Sequence, residues 1–452
     1  MRKTAIIWLL GGFVLLLAAV YFFDIEGEGK RNDRKGREAR IFTLKKSDVA
    51  AVTLTNSYGA VGYRRENKTW VITEPIVTAG DQEAIESHLE AILNCERDRV
   101  VADTTDDLSA YGLARSRFTV RVQSNDSLSV MLLIGDENPT GDFIYAKFAE
   151  QARIYTLKKR FLNNIDKSLF DLRDKQIAHF DLDSVRKIEA VSAAGTAIIL
   201  IRSEDAWRLT QPVAIEAKES EIESFLSRLG NDRAKSFEAD SASDWSSYGL
   251  DRPQLQIGLF SGKDSLITTF LVGRQASNVD NYYAAESGRP AVFTIDRWTF
   301  EGLNKTAFDF QDKQLLRFDP AKVDRIEWQI EDTLYSAVQD NSAEWMFIQP
   351  DTIPADGQKI RDWIRQIENL EAMQLETYFP EDERLYGFGK PLLRIFLYPV
   401  GETVPALLVA NQVDDYYYIK TADRPFIYKI RTGMIDEIRN SRKAFFREPR
   451  VE

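Results

Sequence analysis

Three tryptophans set the frame of this chain. Trp70, Trp207 and Trp345 each stand five residues before a proline (Pro75, Pro212, Pro350) and 41 residues before a tyrosine–glycine pair (Tyr111-Gly112, Tyr248-Gly249, Tyr386-Gly387). The copies are offset by 137 and then 138 residues, so the chain is a threefold internal repeat. A length of 452 residues exceeds what one hydrophobic core serves, and the repeat selects three units, 41–177, 178–315 and 316–452. A segment 1–23 and a polar linker 24–40 precede them.

Residues 5–23, AIIWLLGGFVLLLAAVYFF, are 19 uncharged and mostly apolar positions. As a helix they reach about 28 Å, close to the hydrocarbon thickness of a bilayer. The run is longer than the apolar core of a cleaved signal peptide and ends in Tyr21-Phe22-Phe23-Asp24, a poor cleavage site. The expectation is an uncleaved single-pass anchor in the lipid bilayer. Arg2 and Lys3 precede it, and a basic cluster from Lys30 to Arg40 follows. Long domains translocate largely regardless of flanking charge, so the repeats are expected on the periplasmic or extracytoplasmic side of a bacterial inner membrane. A formal net charge of -11 argues against nucleic acid as a partner, because phosphate binding wants a basic face. Cys95 is the sole cysteine, which excludes an intramolecular disulfide and any multi-cysteine zinc site.

Each repeat reads alike. Alternating apolar residues predict a strand near Val49–Leu54, two more across Tyr63–Thr73, a short one at Val100, and four spanning Phe118–Val122, Leu128–Ile134, Phe143–Phe148 and Arg153–Leu157. Ile85, Leu89 and Ile92 recur as Ile222, Leu226 and Leu229, and as Ile360, Ile364 and Ile367. That spacing puts each trio on one face of a helix. Strands on both sides of a helix predict an α+β fold: an N-terminal transmembrane helix followed by three tandem α+β repeats with mainly antiparallel sheets.

The repeated motif reads as structure. Tryptophan anchors a core, proline closes its strand because it cannot donate to a ladder, and the glycine after tyrosine takes a positive φ. Pro253 and Pro391 set up the next strand, where the first copy has Ser116; Gly135 and Gly273 end a strand where the third has Ala410. The membrane anchor, WxxxxP, the YGLxxP of Tyr248–Pro253 and the strand-ending Leu271-Val272-Gly273 together resemble the bacterial family known as domain of unknown function 4340. The resemblance covers all three repeats. It implies an extracytoplasmic accessory role, since such proteins are often encoded beside subunits of gliding-type ABC export systems. It brings no catalytic residues.

Candidate chemistry is sparse. His88 lies beside the apolar face of the first helix, where the other copies have Phe225 and Trp363, so it reads as packed. Gly387-Phe388-Gly389-Lys390 superficially resembles a phosphate loop, but Arg384 stands where the first glycine belongs and Pro391 follows the lysine. Asp103, Asp106 and Asp107, with Glu238, Asp240 and Asp244 in the second copy, offer acids for acid–base work or calcium. Asp414-Asp415-Tyr416-Tyr417-Tyr418 offers a candidate interaction surface at Asp414, Asp415, Tyr416 and Tyr418. No catalytic residue, metal site or cofactor is expected. The functional expectation is a non-enzymatic, membrane-tethered scaffold whose partner is an envelope or ABC transporter protein. A glycan- or peptidoglycan-binding protein and a carboxylate-dependent hydrolase are the alternatives.

Overall fold

The computed structural model describes residues 39–441 and Phe445, apart from 205, 263–264, 278–279, 331 and 341. The first repeat contains β1 (Val49–Asn56), β2 (Gly59–Glu66), β3 (Thr69–Glu74), β4 (Thr78–Ala79), β5 (Arg97–Ala102), β6 (Phe118–Ser124), β7 (Ser129–Glu137), β8 (Phe143–Phe148) and β9 (Ile154–Lys158). They form one sheet in the order β4-β3-β2-β1-β6-β7-β8-β9-β5. The second sheet, from β10 (Lys187–Ser192) to β18 (Val292–Asp296), and the third, from β19 (Val323–Ile330) to β27 (Ile427–Arg431), repeat that order strand for strand.

Helix α1 (Gln82–Leu93) follows β4 and leads to β5. Those two strands are opposite edges of the sheet, so the helix crosses the whole sheet face. Asp81 starts it by accepting a hydrogen bond from the Ala84 amide at 3.0 Å. Its predicted stripe, Ile85, Leu89 and Ile92, is fully buried. The strands supply the opposing surface through period-two alternation: Val52 pairs with Val122 and Leu54 with Val120 in the β1–β6 register, all buried. Each such side chain contributes roughly 1.5–3 kcal/mol by leaving water. The apolar residues of the first repeat close into one core running from Phe42 to Leu172, and those of the third into another from Leu316 to Phe445.

The α+β expectation needs correction. Each repeat is a single, mostly antiparallel nine-stranded sheet, and helices are only short covers on it. The physical reason is hydrogen-bond continuity. Strands before and after α1 join through the central β1–β6 pair into one ladder instead of forming separate layers. Among the described residues no helix is long and apolar enough to cross a membrane, and the predicted span at 5–23 lies outside them.

The chain divides into two compact units. The first contains the repeat ending at Ile177 together with Arg233–Ser243 and Pro290–Ile295; the second contains Ala178–Asp232, Asp244–Arg289 and Asp296 onward.

Candidate functional site

The tyrosine–glycine turn is built the same way three times. A 3-10 turn, Ser109–Tyr111, Ser246–Tyr248 or Glu383–Tyr386, ends in a glycine at φ 66°, 70° or 90°. An aspartate starts each turn: Asp107 accepts from the Ser109 amide, Asp244 from Ser246 and Asp382 from Arg384, at 2.9, 3.0 and 2.9 Å. Each tyrosine ring then meets a tyrosine of the opposing hairpin edge-on. The pairs are Tyr111–Tyr145, Tyr248–Tyr283 and Tyr386–Tyr418, with centroids 5.0–5.1 Å apart. Gly135 and Gly273 leave room for the carbonyls of Tyr111 and Tyr248, which a Cβ there would strike. Where Pro253 and Pro391 precede their strands, Ser116 instead accepts from the Ile134 amide at 3.1 Å.

These caps make a pH prediction. Hydrogen bonds from the Ser246 and Ser247 hydroxyls and from the Ser246 amide hold the Asp244 carboxyl down to about 2. A carboxyl depressed in the folded state contributes stability above its unfolded value near 3.8, and that contribution is lost as pH falls toward 2. Protection of the 246–249 amides, measured against the exchange rate of an unstructured peptide at the same pH, is therefore expected to fall between about pH 4 and pH 2, and Asp244→Asn should remove that step. An unchanged pH profile in Asp244→Asn would show that the carboxylate does not hold the turn.

The tryptophans are buried at 1%, 4% and 2% exposure for Trp70, Trp207 and Trp345. Trp70 stacks edge-on against Tyr63 and donates its indole N–H to Glu86 at 2.6 Å. Pro75, Pro212 and Pro350, which end these strands, all follow cis peptide bonds.

The candidate acids separate by role. Asp107 and Asp244 are turn caps, Glu238 accepts from the Ser236 hydroxyl at 2.6 Å, and Asp103 accepts from Arg153 at 2.9 Å. Asp240 accepts from the guanidinium of Arg173, at 2.6 Å. Among the described residues no group of three His, Cys, Asp or Glu could hold a metal ion.

The tyrosine-rich hairpin is also divided. Asp414 sits at the turn at φ 50°, and the Asp415 carbonyl accepts from Thr432 at the start of the terminal helix. Tyr417 is core and donates to Asp436 at 3.1 Å, while Tyr418 is occupied by Tyr386 and by the Lys429 ammonium over its ring. Tyr416 is half-buried. The strand alternation that separates Tyr417 from its neighbours holds, and it leaves only part of this hairpin facing outward.

His88 is packed as its position suggests. A carbonyl only accepts, so Nε2 donates to Ile165 O at 2.9 Å and Nδ1 accepts from the Tyr63 hydroxyl at 2.9 Å. Burial pushes its pKa down to about 4, so the ring is neutral. His179 Nδ1 lies 2.7 Å from the buried carboxylate of Glu286, which also accepts from Thr268. Burial pushes the Cys95 thiol well above its ordinary range.

One feature of the turns faces outward. A cleft of about 700 Å3 opens beside the first turn and is lined by Gly112, Arg115, Arg117, Asp136 and Asp166. Asp166 is spent on Asn56 at 2.7 Å. Arg115 lies four residues after Tyr111, and the same step carries Arg252 and Lys390 in the other copies, all exposed. Arg115 and Arg252 have no ion pair among the described residues; Lys390 makes a surface pair with Asp332 at 3.5 Å. The neighbouring position varies as Asp136, Arg274 and Asn411. What recurs is a rigid turn that presents a cation. Sequence reasoning passed over these basic residues, although aligning the copies on their tyrosines exposes them.

The fold defines a tandem array of three single-sheet repeats, each with one packed tyrosine–glycine turn. The chain belongs to the family described as domain of unknown function (DUF4340), which matches at residues 70–206, 207–350 and 345–449. Each match begins at a repeated tryptophan, in the third strand of one sheet, and the first two run into the following sheet. No curated protein matches the chain.

Proposed function

We propose that this chain is a non-enzymatic scaffold tethered to the bacterial inner membrane by residues 5–23. Its repeats stand on the extracytoplasmic side and serve as an accessory of a gliding-type ABC export system. The observation that carries the reading is the recurrence of Arg115, Arg252 and Lys390 on three turns whose other parts are used in folding. An exposed cation on a preorganised turn suits recognition of acidic groups on a protein partner, and it adds association rate and specificity more than raw affinity. The 19-residue apolar run supports the tether.

A photo-crosslinking residue placed at Arg252 in the full chain, expressed in its own membrane, tests this. Recovery of an export permease or its partner subunit, lost when Arg115 and Lys390 are changed to glutamate, is the expected result. Recovery of glycan without protein overturns it in favour of peptidoglycan binding, and recovery unaffected by the charge reversals removes the role given to the turns. A reporter fused after Glu452 should be active only when exported; activity of a cytoplasm-only reporter reverses the placement.

A further inference from the structure

The cleft beside the first turn and another of about 450 Å3 in the second repeat hold corresponding places in their sheets. Phe118, which opens β6, matches Leu255, and Leu162, in the helix Lys159–Ile165, matches Phe300. The apolar frame therefore recurs, and the charges do not. Arg117 becomes Gln254 and Asp166 becomes Asn304, and Lys305 is the one charged side chain among the described residues lining the second cleft. A unit that folds with Gln254 and Asn304 does not need a guanidinium and a carboxylate at these places.

The four charges of the first cleft stand apart. Among the described residues Arg115, Arg117, Asp136 and Asp166 make no ion pair, with one another or with any other side chain. Both acids are held in position. Asn56, itself buried, donates to Asp166 Oδ1 at 2.7 Å and to the Lys167 carbonyl at 2.9 Å, which leaves Asp166 Oδ2 to accept. The Asp136 carboxyl lies against Gly112, where a Cβ would stand 2.4–2.6 Å from it. In the second copy Arg274 takes that place and donates twice to the Ser247 carbonyl, at 3.0 and 2.7 Å, so the corresponding side chain is committed to its own turn. Phe118 and Ile134, both buried, give the first cleft an apolar floor.

Two guanidiniums and two carboxylates leave the cleft with no net charge, so it offers little to a polyanion. Opposite charges that line one cleft without pairing match a ligand that carries both signs. A volume of about 700 Å3 falls in the usual range for small-molecule sites, roughly 300–1,000 Å3. A guanidinium meets a carboxylate with a planar fork of donors, and an ammonium donates to carboxylates.

We propose that the cleft binds a short apolar peptide with both ends free. Arg115 and Arg117 take its terminal carboxylate, Asp136 and Asp166 Oδ2 its terminal ammonium, and Phe118 and Ile134 its side chain. The site does not rest on the partner reading above, with which it shares only Arg115.

Isothermal titration of the purified full chain with alanyl-phenylalanine tests this, and saturable binding is expected. N-acetyl-alanyl-phenylalanine and alanyl-phenylalaninamide, each lacking one terminal charge, should bind at least about tenfold more weakly, the effect of one charge-assisted hydrogen bond. Asp166→Asn and Arg117→Gln carry the residues of the second copy, so both should fold. Asp166→Asn should weaken the free dipeptide about tenfold and leave the acetylated one unchanged, whereas Arg117→Gln should weaken both. No saturable binding of the free dipeptide below about 10 mM overturns the proposal. Equal affinity for the free and blocked forms, or binding indifferent to both substitutions, overturns it as well. Crosslinking from Arg252 probes the partner reading without this cleft, so either can fail while the other stands.

Discussion

Replacing Trp70 with alanine is expected to destabilise the first repeat by about 3–5 kcal/mol, the range for emptying a large buried aromatic site. Its ring closes one end of the core against Tyr63 and lies under the Arg65 guanidinium at 4.5 Å. Gln82, at the start of α1, fastens the same residue by accepting from the Trp70 amide at 2.7 Å and donating to its carbonyl at 2.9 Å. Phenylalanine separates the two parts of the loss. Trp70→Phe keeps most of the packing but loses the indole hydrogen bond to Glu86, which keeps Lys46 and Arg65 as partners, and about 1 kcal/mol is expected from that lost bond. Trp345 has a buried indole nitrogen with no hydrogen-bond partner among the described residues, and Gly357 takes the place of Gln82 beneath it. Trp345→Phe therefore removes an unsatisfied donor and should cost less than Trp70→Phe. Denaturant unfolding of the full chain, followed by peptide-level hydrogen exchange in β1–β3 and in Val323–Gln349, measures both. Equal costs for the two phenylalanine variants would count against the hydrogen-bond account.

The periodic features of this fold were legible and the long-range ones were not. The stripe Ile85, Leu89 and Ile92 announces itself by spacing and is buried as expected. β1, β3 and β6 show the alternation; β5 is exposed almost throughout, β9 is buried at four of its five positions, and β4 has two residues and can show none. Their assembly into one sheet rests on the β1–β6 pairing, which joins residues about seventy apart and has no local signature. The tyrosine of the turn reads as structural, but its partner Tyr145 lies 34 residues on, in another hairpin. Acids were the least legible. Asp107 and Asp240 look alike as loop carboxylates, yet one caps a turn and the other holds a buried arginine. Only a comparison of copies, Asp107 with Asp244 and Asp382 against Asp240 with Tyr378, separates a kept role from a varied one.

Asp240→Ala is expected to loosen the junction ahead of the second repeat more than its surface position suggests. The carboxylate side chain is 46% exposed, but its partner Arg173 is 4% exposed. Removing the acid leaves a buried guanidinium with the Phe237 face but without its carboxylate, and about 2–3 kcal/mol is expected. A fully buried pair would lose about 3–5 kcal/mol, but water reaches one side of this one. Arg173→Met reverses the balance. It removes the charge with most of the apolar stem replaced, leaves Asp240 solvated, and should cost less than Asp240→Ala. The readout is amide exchange at Ala234, whose N–H donates to Lys175 O at 2.7 Å across the same junction. Faster exchange is expected there and along 236–239 in Asp240→Ala, with a smaller change in Arg173→Met and partial recovery in Asp240→Asn. If Arg173→Met exchanges faster than Asp240→Ala, the stacking on Phe237 holds the junction and the ion pair is secondary.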